Sequence, residues 1–233
     1  MSVLVADCVS KSFGPRRVLS AGSLRAEAGQ VRVVFGRNGI GKSTLIKIAA
    51  GLLAPDSGVV HFRGTARLRA RHSSFAREGL FYLPDHELLS SAFSLRRQLQ
   101  FQRDRFQRRS VEEAATLAHV VHLLDRRPHT LSGGELRRAE LAMVLVRQPE
   151  CLLADEPYRG IAPVDHDLLT RLFRSIAADG CAVVVTGHEV PTLFAAADHI
   201  TWCTSGTTYE LGAPEEARAH EEFRRDYLGP KRL

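Results

Sequence analysis

GRNGIGKST, running from Gly36 to Thr44, has two glycines separated by four residues and followed by Lys and Ser, the spacing of a phosphate-binding P-loop. At average composition such a pattern arises by chance in about one chain in a hundred of this length, so the flanking residues have to carry the reading. Upstream, VRVVF (Val31 to Phe35) is a short β-branched run of the kind buried in a parallel sheet. Downstream, LIKIAAGLL (Leu45 to Leu53) has helical apolar spacing until Pro55 stops it. Strand, glycine loop and helix therefore come in the order the motif requires, which disfavours an incidental glycine-rich turn.

The residue types match the expected chemistry. Gly36, Gly39 and Gly41 would let the backbone adopt conformations closed to residues with a side chain, so that consecutive N–H groups point inward at phosphate oxygens. The loop then opens a helix at its positive end. Lys42 would reach the β- and γ-phosphates, Ser43 would offer its hydroxyl to Mg²⁺, and Arg37, Asn38, Ile40 and Thr44 line the same cradle. The predicted ligand is a nucleoside triphosphate.

At 233 residues and 44% hydrophobic content the chain can build one large α/β domain, or one with a small inserted subdomain. The longest apolar candidate for a membrane span, Ala139 to Val146, is short and interrupted by Glu140. MSVLVADCVSKSF carries Asp7 and lacks a basic start followed by an apolar core, so a cytoplasmic protein is expected. Cys8, Cys151, Cys181 and Cys203 are scattered, which suggests neither a metal clip nor a disulfide framework; they are expected to be buried small hydrophobes. The net charge of +6 is uneven, since residues 63–109 hold eleven arginines against four acids. A solvated basic face is one reading of that excess, attraction to anionic lipid or an acidic partner surface a second, and nucleic acid a third, which is not expected.

Two further stretches bear on phosphate chemistry. ECLLADEP (Glu150 to Pro157) is an apolar strand ending in adjacent acids. In a parallel sheet its carboxyl end lies beside that of the P-loop strand, which would bring Asp155 to the metal and Glu156 to the γ-phosphate as the base that orients or deprotonates water. Without the P-loop, such a pair reads more simply as a helix cap. LSGGE (Leu131 to Glu135) is a pentapeptide expected by chance in about one chain in two thousand of this size. Ser132 with Glu135 three residues on is also a capping box that starts a helix.

Together the P-loop, LSGGE and LLADEP resemble the ATP-binding cassette of ABC transporters, and the likeness spans the whole chain; the C-terminal GAPEEARAHEEFRRDYLG (Gly212 to Gly229), together with GIAP (Gly160 to Pro163), resembles the cassettes that serve branched-chain amino-acid import or lipopolysaccharide export. The resemblance implies that Ser132, Gly133, Gly134 and Glu135 bind the γ-phosphate held by an opposite subunit, so two cassettes, identical or different, form a dimer with shared ATP sites. It implies that Phe13 stacks on adenine and that His188, in AVVVTGHE, faces the γ-phosphate and Glu156. It also exposes departures: Ala162, in YRGIAP, stands where an Asp is common, and Asp85 ends LPD where the family has Gln. Asp85 could still ligate Mg²⁺, but it cannot donate a hydrogen bond to the attacking water.

The expected fold is a P-loop α/β cassette over residues 1–233, with a parallel core sheet, an N-terminal antiparallel β portion (core 1–84 and 149–233) and a helical subdomain inserted at 85–148. The expected function is the ATP-hydrolysing subunit of a transporter, with Mg²⁺, separate integral membrane subunits and a peripheral place at the inner face of the cell membrane. The alternatives are a soluble cassette ATPase of a non-transport machine and a weakly hydrolysing regulatory module.

Overall fold

In the computed structural model, which describes residues 2–67, 71–106 and 108–229, the chain opens with a long antiparallel hairpin, β1 (Ser2–Phe13) and β2 (Arg16–Glu27). The hairpin turns through Gly14 at φ 58°, a left-handed conformation that glycine adopts freely. Next come β3 (Val31–Phe35), α1 (Lys42–Ala49), β4 (Ser57–Phe62), β5 (Thr65–Arg67), α2 (His72–Arg77) and β6 (Leu80–Leu83). Helices α3 (Leu95–Phe106), α4 (Val111–Leu117) and α5 (Gly133–Arg147) follow, then β7 (Cys151–Ala154), α6 (Pro163–Ala178), β8 (Ala182–Gly187) and α7 (Val190–Ala196). The described chain finishes with β9 (His199–Thr204), β10 (Thr207–Gly212), α8 (Pro214–Ala219), α9 (Glu221–Phe223) and a π-helical turn, Arg224–Leu228. Arg69 of the basic region, and Met1 and residues 230–233 of the expected domain, lie outside the described residues.

The strands hydrogen-bond in the order β5-β4-β1-β2-β10-β9-β3-β8-β7-β6. The first four and the β9–β10 pair run antiparallel, while β9-β3-β8-β7-β6 are joined by parallel ladders. VRVVF is therefore an interior parallel strand flanked by β8 and β9, and it is buried along its whole length. Alternation of side chains sends consecutive residues to opposite faces. Val33, Phe35, Val183, Val185, Leu152 and Ala154 pack in the core covered by α5, α6 and α7. Val34, Val184 and Leu153 pack on the other face with Leu45, Ile46, Ile48 and Ala49 of α1 and with Leu4, Leu19 and Leu24 of the antiparallel strands. The helix that follows the glycine loop is thus wedged between the two parts of the sheet, which fixes the loop at the carboxyl end of β3.

No strand occurs among the described residues between Leu83 and Cys151, where α3, α4 and α5 pack together. Glu140, which interrupts the apolar run of α5, is 1% exposed and faces Arg137 at 2.8 Å. Glu140 also accepts a hydrogen bond from the Leu88 N–H at 2.8 Å, and Arg137 donates to the Pro84 carbonyl at 3.0 Å. The charged pair is buried because it has work there: it pins the segment after β6 onto α5. Burial pushes the Glu140 carboxyl above its ordinary range, and Arg137 offsets part of that rise. Among the described residues no helix is long and apolar enough to cross a membrane.

The expectation of four buried cysteines needs correction at Cys8, which is exposed with φ 47° where the β1–β2 register shifts between Ala6 and Val9. A bulge turns a strand residue out of the alternating pattern, and sequence periodicity alone does not mark it. Burial pushes the Cys181 thiol up to about 12 and Cys203 up to about 11, and raises Cys151 as well. A thiol reagent at mild alkaline pH is therefore expected to modify one cysteine of the native protein quickly and all four only in denaturant, with Cys8→Ser abolishing the fast phase. Two or more fast equivalents would contradict this burial pattern.

Candidate active site

The glycine loop works by two different devices. Gly39 and Gly41 have φ values of 75° and 119°, which side-chain-bearing residues rarely adopt. Gly36 does not, contrary to the expectation that all three glycines serve backbone conformation. A Cβ there would stand 2.6 Å from the Cys203 carbonyl and 2.9 Å from the Ile40 side chain, so close packing against β9 demands glycine. No side chain caps α1, whose N-cap is Gly41, so its first N–H groups are left for a ligand. Asn38 and Arg37 are exposed on the loop, Ile40, Ser43 and Thr44 are half-buried, and Arg37 donates to the Asp226 carbonyl at 3.0 Å.

Lys42 is 3% exposed and folds back into the loop, donating to the carbonyls of Gly36 at 2.7 Å and Arg37 at 3.3 Å. Its ammonium lies 3.5 Å from Glu156 Oε1, and the other Glu156 oxygen lies 3.6 Å from His188 Nδ1. Three residues singled out from separate parts of the sequence thus meet at the mouth of the loop. Glu156 holds a left-handed backbone at φ 44°, and its N–H donates to Thr186 at 2.9 Å. Strain of about 1–3 kcal/mol at such a residue persists only where the surroundings fix it.

Asp155, fully buried, accepts hydrogen bonds on Oδ1 from Ser43 at 3.0 Å and Thr186 at 2.8 Å, and on Oδ2 from Tyr82 at 3.4 Å. Burial pushes its carboxyl above the ordinary range, the nearby Asp85 charge adds to this, and the Thr186 and Ser43 hydrogen bonds offset only part. A carboxyl raised in the fold is costly when ionised, so the protein gains stability there as the pH falls or as a cation arrives. A buried carboxylate beside a hydroxyl, with oxygen donors only, is a donor set that fits Mg²⁺.

Asp85 is placed differently. Its oxygens face His86 Nδ1 at 3.1 Å and Arg159 Nη1 at 3.2 Å, and no group of three potential metal-ligating His, Cys, Asp or Glu residues occurs among the described residues. Partial burial pushes the Asp85 carboxyl up, but the hydrogen bond and charge of His86, with Lys47, hold it below the ordinary range. Phe13 is half exposed at the end of β1, with the Lys11 ammonium 5.9 Å from its ring, and its neighbour across the hairpin, Arg16, donates to the Gly39 carbonyl at 3.3 Å.

Ser132 caps α5: its hydroxyl accepts from the Glu135 N–H at 3.4 Å, while Glu135 accepts from the Ser132 N–H at 2.8 Å, so the box read from LSGGE is formed. The Ser132 N–H and the Ser132 hydroxyl, which donates to the same Glu135 Oε2 at 2.9 Å, hold the Glu135 carboxyl below its ordinary range. Gly134 packs where a Cβ would run into the Asp165 carboxylate, and Ser132 and Gly133 are exposed. Among the described residues no hydrogen bond joins 131–135 to 36–44. Sequence reasoning missed Thr186, Tyr82 and Arg159. The signal for Thr186 was a lone hydroxyl inside the apolar strand AVVVTG, at a position where burial demands a partner.

A family model described as ABC transporter matches residues 19–159. The chain is 30% identical over 237 residues to the lipopolysaccharide export system ATP-binding protein LptB of Escherichia coli strain K12, covering 98% of both. It is 33% identical over 230 residues to the zinc import ATP-binding protein ZnuC of Yersinia enterocolitica, covering 96% of this chain and 84% of that one. A solved nucleotide-free ATP-binding cassette from an ABC transporter superposes with a TM-score of 0.80 at 22% identity, with 94% of each chain covered. At that identity the superposition speaks to the fold alone.

Proposed function

The chain belongs to the ABC transporter family as an ATP-binding, ATP-hydrolysing subunit, and from that premise we propose that its glycine-loop face is one half of a shared, Mg²⁺-dependent site that drives separate membrane subunits. The observation that carries this reading is the Glu156 carboxylate set between Lys42 and His188, beside the buried Asp155–Ser43 pair. The backbone N–H groups of residues 36–44 wrap the phosphates, and Lys42 exchanges its carbonyl partners for the β- and γ-phosphates. Ser43 and Asp155 hold Mg²⁺, which neutralises phosphate charge when bound. Glu156 orients the attacking water and takes its proton, and His188 holds Glu156 and the γ-phosphate in register. Phe13 stacks on the base, being exposed enough to receive it.

The γ-phosphate is completed in trans by Ser132, Gly133, Gly134 and Glu135 of a second cassette, a reading supported by a capped helix start that exposes Ser132 and Gly133 and, among the described residues, makes no hydrogen bond to 36–44. The cassette sits peripherally at the inner face of the membrane. A short helix of the membrane subunit docks in a groove of about 490 Å³ lined by Leu88, Phe93, Phe101 and Met143, next to the Arg97 guanidinium stacked on Phe93 at 4.6 Å. Relatives named for lipopolysaccharide export and for zinc import share this cassette, so the membrane subunits select the cargo. The helices between 85 and 148 form the inserted subdomain that links groove and signature. Isolation from membranes in mild detergent is expected to yield an integral membrane partner and Mg²⁺-dependent phosphate release. An active ATPase that fractionates without any membrane protein would replace the transporter reading with that of a soluble machine.

A further inference from the structure

Two segments that end parallel strands meet beside the site. The one after β6 carries Asp85, and the one after β7 carries Glu156 and, three residues on, Arg159. Their contact is the Asp85–Arg159 pair at 3.2 Å. We infer that Arg159 is a positioning residue: it takes the Asp85 carboxylate in place of the metal and so ties the loop facing the membrane-subunit groove to the turn that holds the base, Glu156. This inference rests on the reading of Glu156 given above.

Each side of the tie is anchored. The Arg159 N–H donates to the Glu156 carbonyl at 3.0 Å, closing a turn that begins on the strained Glu156 backbone. Any displacement of Arg159 is therefore carried to the residue that must face the γ-phosphate. On the other side, the segment from Pro84 to Leu88 is held on α5 by the buried pair, through the Arg137 contact with the Pro84 carbonyl at 3.0 Å and the Glu140 contact with the Leu88 N–H at 2.8 Å. Helix α5 is capped by Ser132, and Leu88 lines the apolar groove. A contiguous run of polar contacts thus leads from the signature helix and the groove, through Asp85 and Arg159, to Glu156.

The charges favour this arrangement over metal ligation by Asp85. Asp155 is already buried and destabilised as an anion, in part by Asp85. A second carboxylate turned to the same point would raise that cost, whereas the Asp85 oxygens are engaged by His86 Nδ1 at 3.1 Å and Arg159 Nη1 at 3.2 Å. Because Arg159 and Asp85 are 63% and 32% exposed, the pair contributes little to folding, and its effect belongs in the turnover step.

The test is a double-mutant cycle on the purified protein, with ATP affinity, melting temperature and phosphate release measured for each variant. Arg159→Ala and Asp85→Asn are each expected to lower kcat about fivefold, equivalent to about 1 kcal/mol of barrier, with Kd for ATP within twofold of wild type and unchanged melting. The double variant should lose no more than either single one, and Arg159→Lys should recover most of the rate. Titration of Mg²⁺ against nucleotide binding should give the same midpoint for Asp85→Asn as for wild type. Additive losses, wild-type rates in the single variants, or a Mg²⁺ midpoint shifted tenfold by Asp85→Asn would each overturn the tie. Failure of the wild-type protein to hydrolyse ATP would instead sink the functional reading beneath it.

Discussion

Glu156→Gln is expected to hydrolyse ATP at between a hundredth and a ten-thousandth of the wild-type rate while binding it at least as tightly, and to accumulate as a closed, ATP-loaded dimer. The substitution keeps the shape and volume of the side chain and removes only its capacity to accept a proton, which is the span usually lost with a general base. Geometry makes the effect selective. One Glu156 oxygen faces Lys42 at 3.5 Å and the other His188 at 3.6 Å, so a carboxamide can occupy the same place. Its N–H to Thr186 is a backbone contact that the change leaves intact. Loss of the negative charge also frees Lys42 for the phosphates, which favours binding rather than opposing it. Light scattering with ATP and Mg²⁺ should report the mass of two cassettes for the variant, and phosphate release should separate it from wild type. Turnover at the wild-type rate would mean that another group accepts the proton.

The sequence exposed this site well because its elements end where the chemistry begins. VRVVF, CLLA and AVVVTG are continuous apolar runs, the signature of strands buried on both faces, and each is followed at once by the polar residues of interest. The ladders pairing β3 with β8 and β8 with β7 then bring Lys42, Glu156 and His188 together without further assumption. What was hidden depended on contacts between segments remote in sequence. The closeness of Gly36 to the Cys203 carbonyl is one case, since the motif alone suggested a conformational role for that glycine. The outward turn of Cys8 at a bulge is a second. Glu140 was legible only as an interruption of an apolar run: Arg137 lies one turn away on the same helix, but the Leu88 N–H that Glu140 accepts comes from another segment. For Asp85 the sequence suggests metal ligation by analogy with the glutamine it replaces, and gives no sign of its neighbour Arg159, 3.2 Å away across the two loops.

Lys42→Ala should weaken ATP binding at least a hundredfold, and ADP binding by nearly as much, with turnover lost in consequence. The ammonium is 3% exposed and satisfied by two loop carbonyls and by Glu156, so the fold itself meets most of its desolvation cost. Exchanging carbonyl partners for phosphate oxygens then adds charge-assisted contacts in a site shielded from water, at about 1.5–3 kcal/mol for each hydrogen bond. Two such contacts suffice for the hundredfold change, because each factor of ten corresponds to about 1.4 kcal/mol. Truncation also leaves Glu156 without its nearer cation and facing phosphate charge, which opposes binding further. Folding is the competing explanation, and it is separable: Lys42 is the first residue of α1, while the apolar face that anchors this helix is Leu45, Ile46, Ile48 and Ala49. A melting temperature within a few degrees of wild type, together with calorimetric titration of ATP, ADP and AMP, isolates the phosphate term. Affinities for ATP within threefold of wild type would show that the backbone cradle holds the nucleotide without Lys42, and the ammonium would then belong to the chemical step alone.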